Sequence, residues 1–143
     1  MQIEETIELG AGPAALWPWI STPEGLARWI TDVQRFEAQP PGDLRKGSHL
    51  VAHLARGAPI DASVERCEPE RALVLRATGL PNDLEVLLTL SIDERAGGAA
   101  LTLRAETQLK GIMMFAEKLI ATKARAKLQA WTDALRGLVG RSG

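Results

Sequence analysis

The chain has 143 residues, of which 45% are hydrophobic and 24% are charged, as is typical of one globular domain with its own core. Its formal net charge of -1 gives no basic excess, so we expect no nucleic-acid partner. The single cysteine, Cys67, excludes an internal disulfide, and no stretch approaches the roughly 20 apolar residues of a membrane span. The acidic N-terminus lacks the features of a signal peptide. We therefore expect one soluble, cytoplasmic domain over residues 1–143, without stable membrane insertion and of undetermined oligomeric state.

The N-terminal part predicts one strand and two short helices. Apolar and polar residues alternate over residues 3–9, a pattern typical of a strand. Pro13 suits the first position of a helix, and Pro18 must shorten or kink that helix. A second helix is predicted after Thr22, because a hydroxyl cap is followed there by proline and an acid.

Six further strands are predicted between residues 33 and 109, where the hydrophobic period is two. They are Val33–Gln39, Ser48–Ala55, Ile60–Cys67, Leu73–Thr78, Leu84–Ile92 and Ala100–Leu109. Turn residues occupy the gaps, and most gaps are short, so neighbouring strands should pair antiparallel. The pattern leaves the register of the first of these strands open, so that either Arg35 or Phe36 faces inward.

After Gly111 the period returns to 3.6, which predicts one amphipathic helix of about 28 residues. The apolar stripe of this helix needs cover, and only the sheet is large enough to provide it. We therefore predict an α+β fold in which a curved, seven-stranded antiparallel sheet wraps around a long C-terminal helix, with two short helices after the first strand.

Small residues at inward positions predict a cavity between the sheet and the helix, because interiors are otherwise filled to high density. The small residues are Ala52, Ala62, Ala77 and Ala105. The alternative is a close approach of the helix, with Met113, Met114, Phe115 and Trp131 filling the space. The residues predicted to contact an apolar ligand are Phe36, Leu50, Ala52, Ala62, Ala77, Val86, Leu88, Leu103, Ala105, Met113, Met114 and Ile120.

The order of elements and several local motifs carry a family resemblance. The motifs are Pro13-Ala14-Ala15-Leu16-Trp17-Pro18-Trp19-Ile20, Thr22-Pro23-Glu24-Gly25-Leu26 with Trp29, Pro41-Gly42 with Lys46-Gly47, and Val64-Glu65-Arg66-Cys67-Glu68-Pro69-Glu70-Arg71-Ala72-Leu73. In this order the chain resembles the START-like or helix-grip superfamily, often labelled SRPBCC or polyketide cyclase/dehydrase. The resemblance implies a hydrophobic cavity and a small-molecule ligand. Members bind lipids, hormones, quinones or polyketides, and some act as cyclases or chaperone co-factors.

Few residues suggest catalysis or metal binding. His49 and His53 share one strand face, but the leucines beside them face inward, so both histidines should face outward. Zinc would need a further ligand that no motif supplies, so we predict no metal and no cofactor. Glu5 is the sole acid on its apolar strand face, and it is either a pocket base or a residue at the solvated strand end. Cys67 is expected to be structural.

Two groups of residues remain open to interpretation. Trp17, Trp19 and Trp29 either pack under the short helices or gate the cavity. The basic residues of the last helix form a solvated face, or they meet anionic lipid or an acidic partner. The leading hypothesis is a carrier of a small hydrophobic molecule with unidentified catalytic residues, if any. The alternatives are a cyclase or dehydratase that uses the same cavity, and a chaperone-activator-like interaction module.

Overall fold

The computed structural model describes residues 1–140. Its strands are β1 (Gln2–Leu9), β2 (Val33–Gln39), β3 (His49–Leu54), β4 (Ile60–Glu68), β5 (Ala72–Thr78), β6 (Val86–Arg95) and β7 (Gly98–Glu106). Its α-helices are α1 (Pro13–Ser21), α2 (Pro23–Trp29) and α3 (Glu117–Val139). Short 3-10 segments occur at Pro81–Asp83 and Gly111–Ala116.

The seven strands form one antiparallel sheet in the order β1-β7-β6-β5-β4-β3-β2. Strands β2 to β7 are a meander, and β1 pairs with β7, so the long chain connection through α1 and α2 crosses from one sheet edge to the other. Helix α3 packs against the inner face of the sheet and contacts β1 and α2. This is the fold predicted from the sequence. Within residues 1–140, no helix is both long enough and apolar enough to cross a membrane.

One end of the inner sheet face is packed with leucines. Leu73 pairs with Leu90, and Leu90 pairs with Leu103, so the three side chains form one row across three strands. All three are fully buried. Because bulky side chains fill this end, any free space beneath α3 must lie at the other end of the sheet.

Helices α1 and α2 are held together by local hydrogen bonds. The Thr22 hydroxyl accepts from the Gly25 amide at 2.9 Å and donates to the Pro18 carbonyl at 2.7 Å, so it caps α2 and ties it to α1. The Trp29 indole, which is fully buried, donates to the Trp19 carbonyl at 2.9 Å. The hydroxyl cap predicted from the sequence is therefore confirmed.

A β-bulge settles the open register of β2. The pairing of β2 with β3 shifts between Val33 and Arg35, so two residues of β2 oppose one of β3. The extra residue lets both Val33 and Phe36 face inward, although they are three positions apart. Arg35 is exposed. Phe36 is therefore the inward residue of this strand.

The C-terminal helix is shorter than the sequence predicted. Helix α3 has 23 residues and begins at Glu117. The preceding residues, Gly111–Ala116, form a 3-10 segment whose first residue, Gly111, has a φ of 60°. A 3-10 turn has three residues rather than 3.6, so the side chains of Met113 and Met114 do not continue the apolar stripe of α3. The prediction of one continuous helix of about 28 residues was wrong at its N-terminal end.

Candidate functional site

An apolar cavity of about 470 Å³ lies between the inner face of the sheet and α3. Its sheet wall consists of Ile3, Val33, Phe36, Ala52, Leu54, Ile60, Ala62, Leu75, Ala77, Val86, Leu88 and Ala105. The four inward alanines singled out in the sequence are all part of this wall. They leave space because a methyl group reaches less far toward α3 than the leucines at the packed end of the sheet.

The helical wall is formed by one stripe of α3. Ala124, Lys127, Leu128 and Trp131 line the cavity, and their spacing of three and four residues puts them on one face of the helix. The remaining apolar lining comes from Met1 at the N-terminus and from Ile30 and Leu80 in the adjoining loops. The cavity is therefore lined by side chains from both layers of the fold.

Seven of the twelve residues predicted to contact a ligand line this cavity. They are Phe36, Ala52, Ala62, Ala77, Val86, Leu88 and Ala105. The other five are not part of its lining, and each has a structural reason. Leu50 and Leu103 face inward but are fully buried in the hydrophobic core.

The remaining three of these five belong to the chain around the start of α3. Met113 and Met114 lie in the 3-10 segment, where Met113 lines a different depression and Met114 is exposed. Ile120 is half-buried in the first turn of α3 and lies one turn before Ala124, the first helical residue of the wall. The helical wall thus begins one turn beyond Ile120, and ten or eleven residues beyond the two methionines.

The described part of the cavity lining contains four polar side chains. Lys127 Nζ lies 2.9 Å from Asp32 Oδ2, and both side chains are about half exposed. Thr107 donates its hydroxyl hydrogen to the Glu85 carbonyl at 2.6 Å, and Glu106 is half-buried beside it. Asp32 and Glu106 were missed from the sequence because they come from separate elements that only the tertiary fold brings together. The spacing of Lys127 from Ala124 and Leu128 was the one available signal.

The histidines lie on the outer face of the sheet, as predicted. His49 Nε2 is 3.3 Å from Asp61 Oδ1, and His53 Nε2 is 3.2 Å from Glu37 Oε1. Arg35 donates a hydrogen bond to Glu37 and, with its positive charge, lowers the pKa of that carboxyl; His53 contributes in the same direction. Arg35 and Glu37 are therefore a surface ion pair, and none of these groups is part of the cavity lining.

The other chemical candidates also lie outside the cavity lining. Glu5 is half-buried on the inner face between Ile3 and Ile7. Cys67 donates to the Leu44 carbonyl at 3.5 Å, and burial raises the pKa of its thiol, which suits a structural cysteine. Trp17 and Trp19 pack against the core beneath the short helices.

A second depression, of about 780 Å³, is lined by residues of both 3-10 segments, Pro81–Asp83 and Gly111–Ala116. Its lining includes Arg76, Asp83, Glu85, Lys110 and Ile112, and it shares Glu106 and Thr107 with the cavity. Although it is larger, its many charged and amide side chains do not suit an apolar ligand. The apolar cavity is therefore the candidate binding site.

A sheet that curves around a C-terminal helix, with an apolar cavity between the two, defines a helix-grip protein. The chain belongs to the polyketide cyclase/dehydrase and lipid transport family, whose sequence model matches residues 1–138. This confirms the resemblance found in the sequence. No curated protein matches the chain.

Solved structures share the fold at low sequence identity. The protein MLL2253 from Mesorhizobium loti has a TM-score of 0.80 at 14% identity, with 96% of each chain covered. The Aha1 dimer from Colwellia psychrerythraea has a TM-score of 0.71 at 15% identity, with 97% of this chain and 96% of that chain covered. DynU16, a protein of the dynemicin biosynthetic locus, has a TM-score of 0.74 at 15% identity, and the match covers 94% of this chain but 45% of that one. At these identities the likeness establishes the fold alone.

Proposed function

We propose that the protein binds a small hydrophobic molecule, such as a lipid, quinone or polyketide-like compound, in the cavity between the sheet and α3. The observation that carries the proposal is the apolar cavity wall, which includes the four inward-facing alanines. The cavity volume of about 470 Å³ lies within the range of about 300–1,000 Å³ found for small-molecule sites. The family description includes lipid transport, which supports a hydrophobic cargo.

The binding energy would come mainly from removing apolar ligand surface from water. Each 100 Å² of buried apolar surface contributes about 2.5 kcal/mol before the costs of ordering the ligand. The polar side chains at Asp32, Glu106, Thr107 and Lys127 would contact polar groups of the ligand. This lining favours a molecule with a largely apolar body and few polar groups.

Catalysis by a cyclase or dehydratase mechanism has less support. A proton-transfer step needs an acid or base within hydrogen-bond reach of the reacting group. In the described part of the lining, the carboxylates are those of Asp32, which is paired with Lys127, and Glu106. The interaction-module alternative predicts a filled core and an exposed apolar patch on the sheet or around Trp17 and Trp19; the cavity argues against the first, and both tryptophans are half-buried. The cytoplasmic location expected from the sequence stays a prediction.

Native mass spectrometry of freshly purified protein, followed by organic extraction, tests the proposal. We expect a fraction of the protein to carry an added mass that organic solvent removes and that proves to be an apolar small molecule. A protein that is empty, and that also fails to take up a neutral apolar fluorophore, would contradict the proposal.

A further inference from the structure

The most exposed large apolar residues of the described chain cluster where β7 connects to α3. Ile112 is 84% exposed, Met114 62%, Phe115 92% and Leu119 59%. We call these four residues the apolar tip. Scattered single exposures are ordinary, but four large apolar side chains within eight consecutive residues are not, and such patches mark interaction sites.

The apolar tip is surrounded by positive charge. Residues 110–125 contain four basic residues, Lys110, Lys118, Lys123 and Arg125, against the single acid Glu117, and all five are exposed. The segment therefore carries a net charge of +3, whereas the whole chain carries -1. Leu119 and Lys123 are four residues apart in α3, so they share one exposed face.

The tip lies next to the candidate site. Glu106 and Thr107, which precede it in the chain, line the cavity, and so do Ala124 and Lys127, which follow it. The segment between them is thus the connection between two parts of the cavity lining. A surface that receives this segment would lie beside the polar side chains of the site.

We infer that the apolar tip docks the protein reversibly onto an anionic lipid bilayer. Exposed aliphatic and aromatic side chains flanked by lysines are the composition of interfacial membrane-binding segments, in which the apolar groups enter the headgroup boundary and the cations meet anionic lipid. The positive charge of the segment favours an anionic bilayer over a neutral one, and it opposes pairing of two copies tip to tip, which would bring two positive segments together. Docking goes beyond cargo binding and does not require the cavity to be occupied.

Vesicle flotation tests the inference with the full chain. The protein is mixed with vesicles of phosphatidylcholine and phosphatidylserine in equal amounts, or with vesicles of phosphatidylcholine alone. We expect the wild type to float with the anionic vesicles and to bind neutral vesicles at least about tenfold more weakly, at about fivefold per lysine that meets the surface. Raising the salt concentration should weaken the binding.

Two variants test which residues carry the docking. Ile112→Ser/Phe115→Ser should weaken binding to anionic vesicles at least about tenfold, because two apolar side chains no longer enter the bilayer. Both side chains are exposed, so folding should be unaffected, and circular dichroism checks this. Leu138→Ser, at the other end of α3 and 41% exposed, is the matched control and should bind like the wild type.

Several outcomes would overturn the inference. They are a wild type that floats with neither vesicle, equal binding to neutral and anionic vesicles, and a double variant that binds as tightly as the wild type. A wild type that dimerises through the apolar tip without binding vesicles would assign the patch to a second copy of the chain instead. None of these results depends on cargo, so a failure here is distinguishable from a failure of the cavity to bind a ligand.

Discussion

Ala62 on β4 is paired with Ala77 on β5, and both side chains line the cavity beneath α3. On the same strand as Ala77, the fully buried Leu73 belongs to the leucine row of the packed end. A change from alanine to leucine along one strand face thus separates a hollow region from a filled one.

Filling the cavity should stabilise the protein. Ala77→Leu adds apolar atoms to unoccupied space, and we expect it to raise the free energy of unfolding by about 1–2 kcal/mol. The control is Ala99→Leu, because Ala99 is fully buried outside the cavity lining and a larger side chain there should cost about 1–3 kcal/mol. Urea denaturation of both variants measures the difference. A similar loss of stability in both would show that no usable space exists at Ala77.

The contact between α1 and α2 should tolerate no side chain at Gly25. A Cβ atom there would lie 2.2 Å from the Pro18 carbonyl oxygen and 2.7 Å from the capping hydroxyl of Thr22. We expect Gly25→Ala to lower the free energy of unfolding by about 1–3 kcal/mol. Gly137→Ala is the matched control, since a Cβ there meets nothing within 4 Å and alanine suits a helix interior better than glycine, so it should leave stability unchanged or raise it by up to about 1 kcal/mol. Equal effects in chemical denaturation would refute the close approach.

The ionisation of Glu37 should depend on Arg35. The Arg35 guanidinium lowers the pKa of the Glu37 carboxyl in the folded protein, so the deprotonated carboxylate favours folding. This contribution is present above the ordinary glutamate pKa and is lost as the pH falls through the lowered pKa. Arg35→Gln should move the Glu37 pKa upward, which an NMR titration of the side-chain carboxyl carbon measures. Arg66→Gln removes a comparable surface pair with Glu68 and should leave Glu37 unchanged.

The ion pair at the cavity should affect ligand exchange more than stability. Asp32 follows α2 and Lys127 lies on α3, so their contact joins two elements that line the cavity. Because both groups are about half exposed, Lys127→Gln should cost less than about 1 kcal/mol of stability. Loss of the contact should speed release of a bound apolar fluorophore by up to about fivefold, as measured by stopped-flow dilution. The exposed Lys123→Gln is the control, and identical release rates would exclude a role for the pair.

Much of the fold was predictable because it depends on local patterns. The period of two locates each strand, and alternation alone assigns Ala52, Ala62, Ala77 and Ala105 to the inner face, where all four line the cavity. Leu50 and Leu103 have the same pattern but lie in the packed core. Periodicity identifies the sheet face on which a residue lies. Whether that residue lines the cavity or the filled core depends on how the helices pack against the face.

The remaining differences arise from tertiary structure. The bulge after Val33 has no local sequence signal, yet it determines that Phe36 faces inward. The apolar run from Ile112 to Phe115 looks like the start of a buried helix, but the structure leaves most of it exposed. Asp32 and Glu106 reach the cavity from distant segments, and no spacing in the sequence links them.

Titration with a neutral naphthylamine fluorophore tests the central claim, ligand binding in the cavity, most directly. The titration compares the wild type with Ala77→Phe, which fills the cavity, and with Ala126→Phe, which adds the same ring at an exposed position of α3. We predict saturable binding at one site, equal affinity in the wild type and Ala126→Phe, and at least about tenfold weaker binding in Ala77→Phe. Equal affinity in all three proteins, or no saturable binding in the wild type, would contradict the assignment of the cavity as a ligand site.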